Sequence, residues 1–201
     1  MKKVLYIKAN VKPEGESRTY KISDVFVEEY KKNNPEDEII TLDLYKENID
    51  FLKEKDLEAV FGPKNEENRN HPILRYAYEF VDADKYIVSA PMWNLSIPAI
   101  LKAYIDYVSV SGITFKYTAR GPVGLCQDKK AIFISSRGGD YSNEITSNFE
   151  MGERYIKTIF TFFGITDFKS IAAENLDVQG IDVNDILDKA KKEAKEMAKE
   201  F

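Results

Sequence analysis

The chain has one cysteine and one histidine among its 201 residues, Cys126 and His71. A single cysteine cannot form an internal disulfide, which favours the reducing cytoplasm. With one thiol and one imidazole, there is no Cys/His cluster to bind a metal ion and only one candidate imidazole base. We therefore expect no metal site and assign no catalytic residue. Demanding chemistry would need a cofactor.

Two further absences restrict the partners. The 34 acidic residues outnumber the 29 basic ones, giving a formal net charge of -5, so the sequence lacks the overall positive charge that a nucleic-acid backbone attracts. No apolar run reaches the roughly 18 residues of a membrane-spanning helix, and Met1–Asn10 shows no signal-peptide cleavage pattern. We expect a cytoplasmic protein that binds neither nucleic acid nor membrane.

Short apolar runs rich in β-forming residues alternate with stretches in which apolar residues recur every three or four positions. Expected strands are 3–8, 38–44, 85–91, 130–136 and 168–174; expected helices run from 17 to just before Pro35 and over 72–82, 99–110, 146–163 and 182–199. Strands that alternate with helices predict a parallel sheet with right-handed crossovers. We predict an α/β fold, a flavodoxin-like three-layer sandwich whose five-stranded parallel sheet has the order 2-1-3-4-5, formed by residues 1–201 as a single domain.

Two segments stand apart from this alternation. Residues 46–70 are rich in Glu, Lys and Asn and indicate only a short helix near 52–61, before the break at Gly62-Pro63. Residues 112–125 contain aromatic and turn-forming residues typical of a hairpin outside the sheet. Ser96 and Pro98, the latter one step inside the helix, are a start signal for the helix from Ala99, whose apolar residues lie nearly all round it and favour an extra interface.

Ligands of such sheets bind outside the carboxyl ends of the strands, where the strand order reverses. The first loop there, 9–19, ends in Ser17-Arg18-Thr19 at a helix start, and its hydroxyls, cation and free N–H groups suit a phosphate. A plain serine N-cap would explain Ser17 equally well. No GxxxxGK[ST] or GxGxxG run follows the first strand, so a mononucleotide is favoured over a dinucleotide.

Two more loops lie at the same edge. In Pro91-Met92-Trp93-Asn94-Leu95, a thioether, an indole and an amide stand where a planar ring could lie, although core packing is a common reason for Met92 and Trp93. In Ser136-Arg137-Gly138-Gly139, the glycines let backbone N–H groups approach an anionic ring edge, and a tight turn is the alternative. Arg137 offers the ring a cation, or pairs with an acidic surface residue.

The segment APMWNLSIPAILKAYIDYVSVSGITFKYTARGPVGL, followed by KKAIFISSRGG and later FFGI, resembles the FMN-dependent NADH azoreductase family, and the match runs from Lys3 to the last helix. The resemblance implies homodimers with active sites at the dimer interface. They would bind FMN, take hydride from NADH and reduce quinones or azo compounds by a ping-pong mechanism.

The resemblance also implies site residues. Asn10 stands where family members often have serine and would substitute for it; Ser17, Arg18 and Thr19 would hold the FMN phosphate. The segment Pro91, Met92, Trp93, Asn94 and Leu95 would contact the ring, and Ser136, Arg137, Gly138 and Gly139 would bind its polar edge. Tyr117, with Phe162 from the other subunit, would line the substrate pocket.

Three other functions share parts of this pattern. A flavodoxin-type electron carrier would have the same fold and cofactor, but the apolar helix from Ala99 favours a permanent interface. A phosphoryl-accepting receiver domain needs acidic residues where the first strand ends, and this chain has Lys8-Ala9-Asn10 there. A phosphodiester hydrolase would need a metal-binding acid cluster or an activated nucleophile, which the sequence does not show.

Overall fold

The apolar runs form the strands of one central sheet. The computed structural model describes residues 1–201, except for the side chain of Glu66. The strands are β1 (Lys3–Lys8), β2 (Glu38–Asp43), β3 (Lys85–Ser89), β4 (Phe115–Thr118), β5 (Gly121–Gly124), β6 (Lys130–Ser136) and β7 (Asp167–Ala173). The α-helices are α1 (Arg18–Asn33), α2 (Leu57–Phe61), α3 (Leu74–Asp82), α4 (Ala99–Val108), α5 (Gly152–Phe162) and α6 (Val183–Glu200), and 3-10 turns occupy Glu54–Asp56, Glu66–Asn68 and Ser147–Phe149.

The sheet has five parallel strands in the order β2-β1-β3-β6-β7. Strands β4 and β5 form a separate antiparallel hairpin, so counting the sheet strands alone gives 2-1-3-4-5. The predicted flavodoxin-like fold is therefore confirmed. The strand order reverses between β1 and β3, which places a crevice at their carboxyl ends.

Each face of the sheet is covered by helices, which explains why the inner strands are apolar without interruption. In β1, Leu5 and Ile7 belong to the core shared with α3, α4 and α5, whereas Val4 and Tyr6 belong to the core shared with α1 and α6. Successive side chains of a strand point to opposite faces, so one short run serves both cores. Burying each such side chain contributes about 1.5–3 kcal/mol.

The helix expected over 146–163 begins later than the spacing predicts. A 3-10 turn occupies Ser147–Phe149, and α5 starts only at Gly152. The Glu150 carboxylate accepts hydrogen bonds from the backbone N–H groups of Glu153, at 2.8 Å, and Arg154, at 3.2 Å. The side chain thus satisfies first-turn donors that have no partner inside the helix, and it fixes the start of α5.

Helix α4 also differs at its ends from the prediction. Pro98 is its N-cap rather than its first helical residue, and Ser96 pairs with Trp93 instead of capping. The helix ends at Val108, because Thr114 Oγ1 donates to the Val108 carbonyl at 2.7 Å and accepts from the Val110 N–H at 3.2 Å. No helix of the described residues is both long enough and apolar enough to cross a bilayer.

Candidate functional site

A cleft of about 190 Å³ opens at the carboxyl ends of β1, β3 and β6. It lies where the strand order reverses, as expected for an open parallel sheet. Most of the residues that line it belong to the three loops singled out from the sequence. The lining residues are Asn10, Lys12, Arg18, Pro91, Met92, Trp93, Ser136, Arg137, Gly138, Leu176 and Asp177.

Ser17 is the N-cap of α1, and its side chain is fully buried. Its Oγ accepts hydrogen bonds from the Tyr20 N–H at 3.1 Å and from Asn10 Nδ2 at 2.8 Å. Both lone pairs are then used, so the hydroxyl proton is left to donate. Within the described residues, the N–H groups of Arg18 and Thr19 form no hydrogen bond, and the first turn has no acidic residue. This helix start therefore presents donors and the positive end of its dipole to an anion.

The backbone of Asn10 is held by Tyr20. The Asn10 N–H donates to the Tyr20 hydroxyl at 2.8 Å, and that hydroxyl donates to the Asn10 carbonyl at 3.0 Å. Burial raises the pKa of Tyr20, which keeps the hydroxyl protonated for this role. Lys8 Nζ lies 4.3 Å from the Tyr20 ring centroid and pairs with Glu14 at 3.1 Å.

The second loop is a tight turn at Trp93–Ser96. The N–H of each of these two residues bonds to the carbonyl of the other, at 2.9 and 3.0 Å. Asn94 (φ 47°) and Leu95 (φ 69°) both adopt the left-handed conformation, which is strained for leucine. The side chains of Trp93 and Leu95 are 38% and 41% exposed. Core packing therefore does not account for Trp93, and the turn presents apolar surface at the mouth of the cleft.

Ser136 joins the three loops. Its Oγ lies 2.6 Å from Thr19 Oγ1, which ties the end of β6 to α1. Its carbonyl accepts a hydrogen bond of 2.9 Å from the Met92 N–H. Farther along the same loop, the N–H groups of Gly138 and Gly139 form no hydrogen bond within the described residues. Two backbone donors are thus available in the loop that Ser136 ties to the Trp93–Ser96 turn.

Arg137 lies in the cleft wall, but its guanidinium is engaged elsewhere. The side chain is 5% exposed and pairs with Glu174 at 3.0 Å, Glu153 at 2.8 Å and Glu150 at 3.4 Å. We call these three acids the carboxylate cluster. Its charge more than offsets that of Arg137, so the donors toward an anionic ring edge are the backbone N–H groups of this loop rather than the guanidinium. Of the two roles expected for Arg137, the structure shows the pairing with acidic residues. Those acids are partly buried rather than at the surface.

A fourth segment, Glu174–Asp177, closes the cleft and was not anticipated from the sequence; we call it the strap. The N–H groups of Asn175, Leu176 and Asp177 donate to the carbonyls of Gly139, Arg137 and Gly138 at 3.0, 3.2 and 2.9 Å. Asn175 takes a left-handed conformation (φ 62°), which asparagine tolerates better than most residues. The strap follows β7 at the same sheet edge, so the strand-end rule could have found it.

The comparisons with known proteins agree with this architecture. A family described as "Flavodoxin-like fold" matches residues 2–198. An FMN-dependent NADH:quinone oxidoreductase of Clostridium perfringens is 68% identical over 201 residues, covering 100% of both chains. The chain belongs to the azoreductase family of flavodoxin-like quinone reductases.

Two solved members of this family show how closely the backbone agrees. An azoreductase from Bacillus anthracis str. Sterne is 35% identical, with a TM-score of 0.90 over 100% of both chains. An FMN-dependent NADH-azoreductase from Bacillus anthracis str. Ames Ancestor, solved in complex with FMN, is 28% identical, with a TM-score of 0.90 over 100% of this chain and 99% of that one. The resemblance noted in the sequence is confirmed.

The two aromatic residues expected at the family's substrate pocket lie outside the cleft. Tyr117, on β4, is 72% exposed, and Phe162 lies at the end of α5. Both contact Phe115, with ring centroids 5.5 and 4.7 Å away. Within one chain these residues form an aromatic surface on the hairpin side, and they do not line the cleft.

Proposed function

We propose that this chain is an FMN-dependent NADH:quinone oxidoreductase that also cleaves aromatic azo compounds to amines. The observation that carries the proposal is that unpaired N–H donors lie on two sides of one cleft. Arg18 and Gly138, which line the cleft, each have an unpaired N–H group, and so do the next residues along the chain, Thr19 and Gly139. The names of the relatives supply the donor and the acceptor, since the relative from Clostridium perfringens is named for NADH and quinone.

The residues present fit a flavin mononucleotide. The start of α1 would hold the phosphate through its N–H groups, the Ser17 and Thr19 hydroxyls and Arg18. The turn Pro91–Leu95 would contact the ring through Met92, Trp93, Asn94 and Leu95. Ser136 and the glycines after Arg137 would meet its polar edge, and Asn10 would hold Ser17 in place.

When bound, FMN supplies the redox chemistry, taking hydride from NADH and giving it to the acceptor. The residues of the chain would bind the flavin, orient it and the substrate, and exclude water from the site. The N–H groups of Gly138 and Gly139 would stabilise the negative charge that reduction adds to the ring, and they would need little reorganisation to do so. No side chain is assigned as catalytic acid or base. A quinone needs one NADH, and an azo bond needs two.

We further propose a cytoplasmic homodimer of single FMN-binding domains with active sites at the interface. The cleft of about 190 Å³ is smaller than the roughly 300–1,000 Å³ of most small-molecule pockets, so a flavin ring would project beyond its mouth. A second copy would cover it, bringing Phe162 over the ring beside Tyr117. Exposed apolar side chains next to the cleft, at Trp93 and Leu95, support such an interface.

An absorbance titration tests the function. The protein reconstituted with FMN is mixed anaerobically with NADH and then with a simple quinone or an azo dye. We expect NADH to bleach the flavin bands and the acceptor to restore them. A protein that holds no flavin would contradict the proposal. One that holds flavin but ignores NADH would be the flavodoxin-type electron carrier, and sedimentation as a monomer would contradict the dimer.

A further inference from the structure

The mouth of the cleft is spanned by an ion pair between α1 and the strap. Arg18 Nη1 lies 2.6 Å from Asp177 Oδ1. The two residues are 159 positions apart in the sequence, and both line the cleft. Arg18 is the first residue of α1 and lines the cleft, so a cation well placed to meet a phosphate already has an anionic partner.

The strap places the Asp177 carboxylate inside the mouth. The Asp177 N–H donates to the Gly138 carbonyl at 2.9 Å. A Cβ at Gly138 would come within 2.6 Å of Asp177 Oδ2, so the carboxylate lies directly against this glycine. The backbone of Asp177 is thus held against the loop that contains Gly138, and its carboxylate is held by the ion pair with Arg18.

The charge of Asp177 opposes the rest of the site. It is the one acidic residue lining the cleft among the described residues. The facing groups are Lys12 and Arg18, together with the unpaired N–H donors, and the charge of Arg137 is already offset by the carboxylate cluster. A carboxylate at this position pairs with the cation that a phosphate would bind, and it repels the negative charge of the phosphate.

We propose that Asp177 is a specificity-determining residue that competes with the ligand's phosphate for Arg18. This rests on the proposed function, because it concerns how the flavin site selects its ligand. A flavin with a phosphate must compete with the carboxylate for the charge of Arg18, whereas riboflavin leaves the pair intact. Asp177 therefore reduces the difference in affinity between FMN and riboflavin.

The test compares the wild-type apoprotein with Asp177→Asn, which keeps the shape and removes the charge. The dissociation constants of FMN and of riboflavin are measured by quenching of flavin fluorescence. We expect FMN to bind about twofold to fivefold more tightly to the variant, the range for releasing an exposed ion pair, and riboflavin to bind unchanged. The matched control is Asp188→Asn, which removes the same charge from an ion pair on α6.

Three results would overturn the proposal. Weaker FMN binding by Asp177→Asn would mean that the acid positions Arg18 for the phosphate. An equal gain for riboflavin, or for the control, would mean a general charge effect. Inorganic phosphate is titrated in parallel by calorimetry. If neither flavin binds the wild type, the proposed function fails. The competition is then still supported if Asp177→Asn binds phosphate more tightly than the wild type, and it is refuted if the two proteins bind phosphate equally.

Discussion

Arg137 and Glu174 form an ion pair of 3.0 Å that joins the end of β6 to the strap after β7. The same guanidinium reaches Glu153 on α5, so one buried cation connects three segments around the cleft. Its Nε is buried and forms no hydrogen bond within the described residues. The cation therefore acts on the carboxylate cluster through its charge and through the hydrogen bonds that its Nη1 and Nη2 donate to Glu174 and Glu153.

Replacing Arg137 by methionine is expected to destabilise the fold strongly. The variant leaves three partly buried carboxylates without their cation, and removing one partner of a buried ion pair costs about 3–5 kcal/mol. Urea unfolding of the apoprotein measures the change. Arg154→Met removes an exposed arginine of α5 and should change stability by less than about 1 kcal/mol. Equal losses in the two variants would contradict the central role of Arg137.

The Ser17 hydroxyl is expected to have two separable roles. Ser17→Ala removes the N-cap of α1, which costs about 1 kcal/mol of unfolding free energy. Asp182→Ala removes the N-cap of α6, whose side chain accepts from the Asn184 N–H at 2.8 Å, and should cost a similar amount. Only Ser17→Ala should also weaken FMN binding, by about tenfold if one charge-assisted hydrogen bond is lost. Unchanged FMN affinity in both variants would remove Ser17 from the phosphate site.

Gly124 is expected to tolerate no side chain. A Cβ there would come within 2.1–2.3 Å of the backbone of Phe163 and Gly164. Gly124→Ala must therefore displace the hairpin from α5 and move the Tyr117 surface with it. We expect a loss of about 2 kcal/mol or more, typical of overpacking against backbone. Val123→Ala, a partly exposed neighbour, is the control in thermal unfolding, and a stable Gly124→Ala protein would show that the hairpin is loosely held.

Stability is expected to fall in alkali partly through Cys126. Burial raises the pKa of this thiol from 9.0 to about 11. Above pH 9 the unfolded chain loses the proton first, so the folded state loses its advantage as the pH rises from 9 to 11. Between pH 7 and 10 the wild type should lose about 1 kcal/mol more than Cys126→Ala. Comparing each protein with itself at the two pH values cancels the cavity left by the alanine, and equal losses would contradict the buried thiol.

The sequence predicts the sheet well because its inner strands are buried on both faces. The continuous apolar runs at β1, β3 and β6 can be recognised without knowing which strands pair. The rule that ligands bind outside the carboxyl ends of parallel strands then selects the loops of the cleft. Helix ends are predicted less well. The start of α5 depends on a side chain, Glu150, whose spacing resembles that of any helical residue.

The remaining features depend on contacts between distant positions. The strap is held by hydrogen bonds from its backbone N–H groups. Every residue type except proline can donate such bonds, so the sequence of the strap does not reveal them. Arg137 pairs with a member of the carboxylate cluster 37 positions away, and Asp177 pairs with Arg18 at a separation of 159 positions. Acidic residues are common at a protein surface, so their number alone did not distinguish these from solvated ones.

Ser136 binds to Thr19 through its hydroxyl and to Met92 through its carbonyl, so the spacing of all three loops is set within the protein itself. A site whose walls are already positioned loses little conformational freedom when it is filled, and more of the contact energy then appears as affinity. The same rigidity means that selectivity among acceptors must come from parts that move or are added later. If the proposed dimer forms, residues of the second copy, together with the exposed Tyr117 side chain, would supply that selectivity.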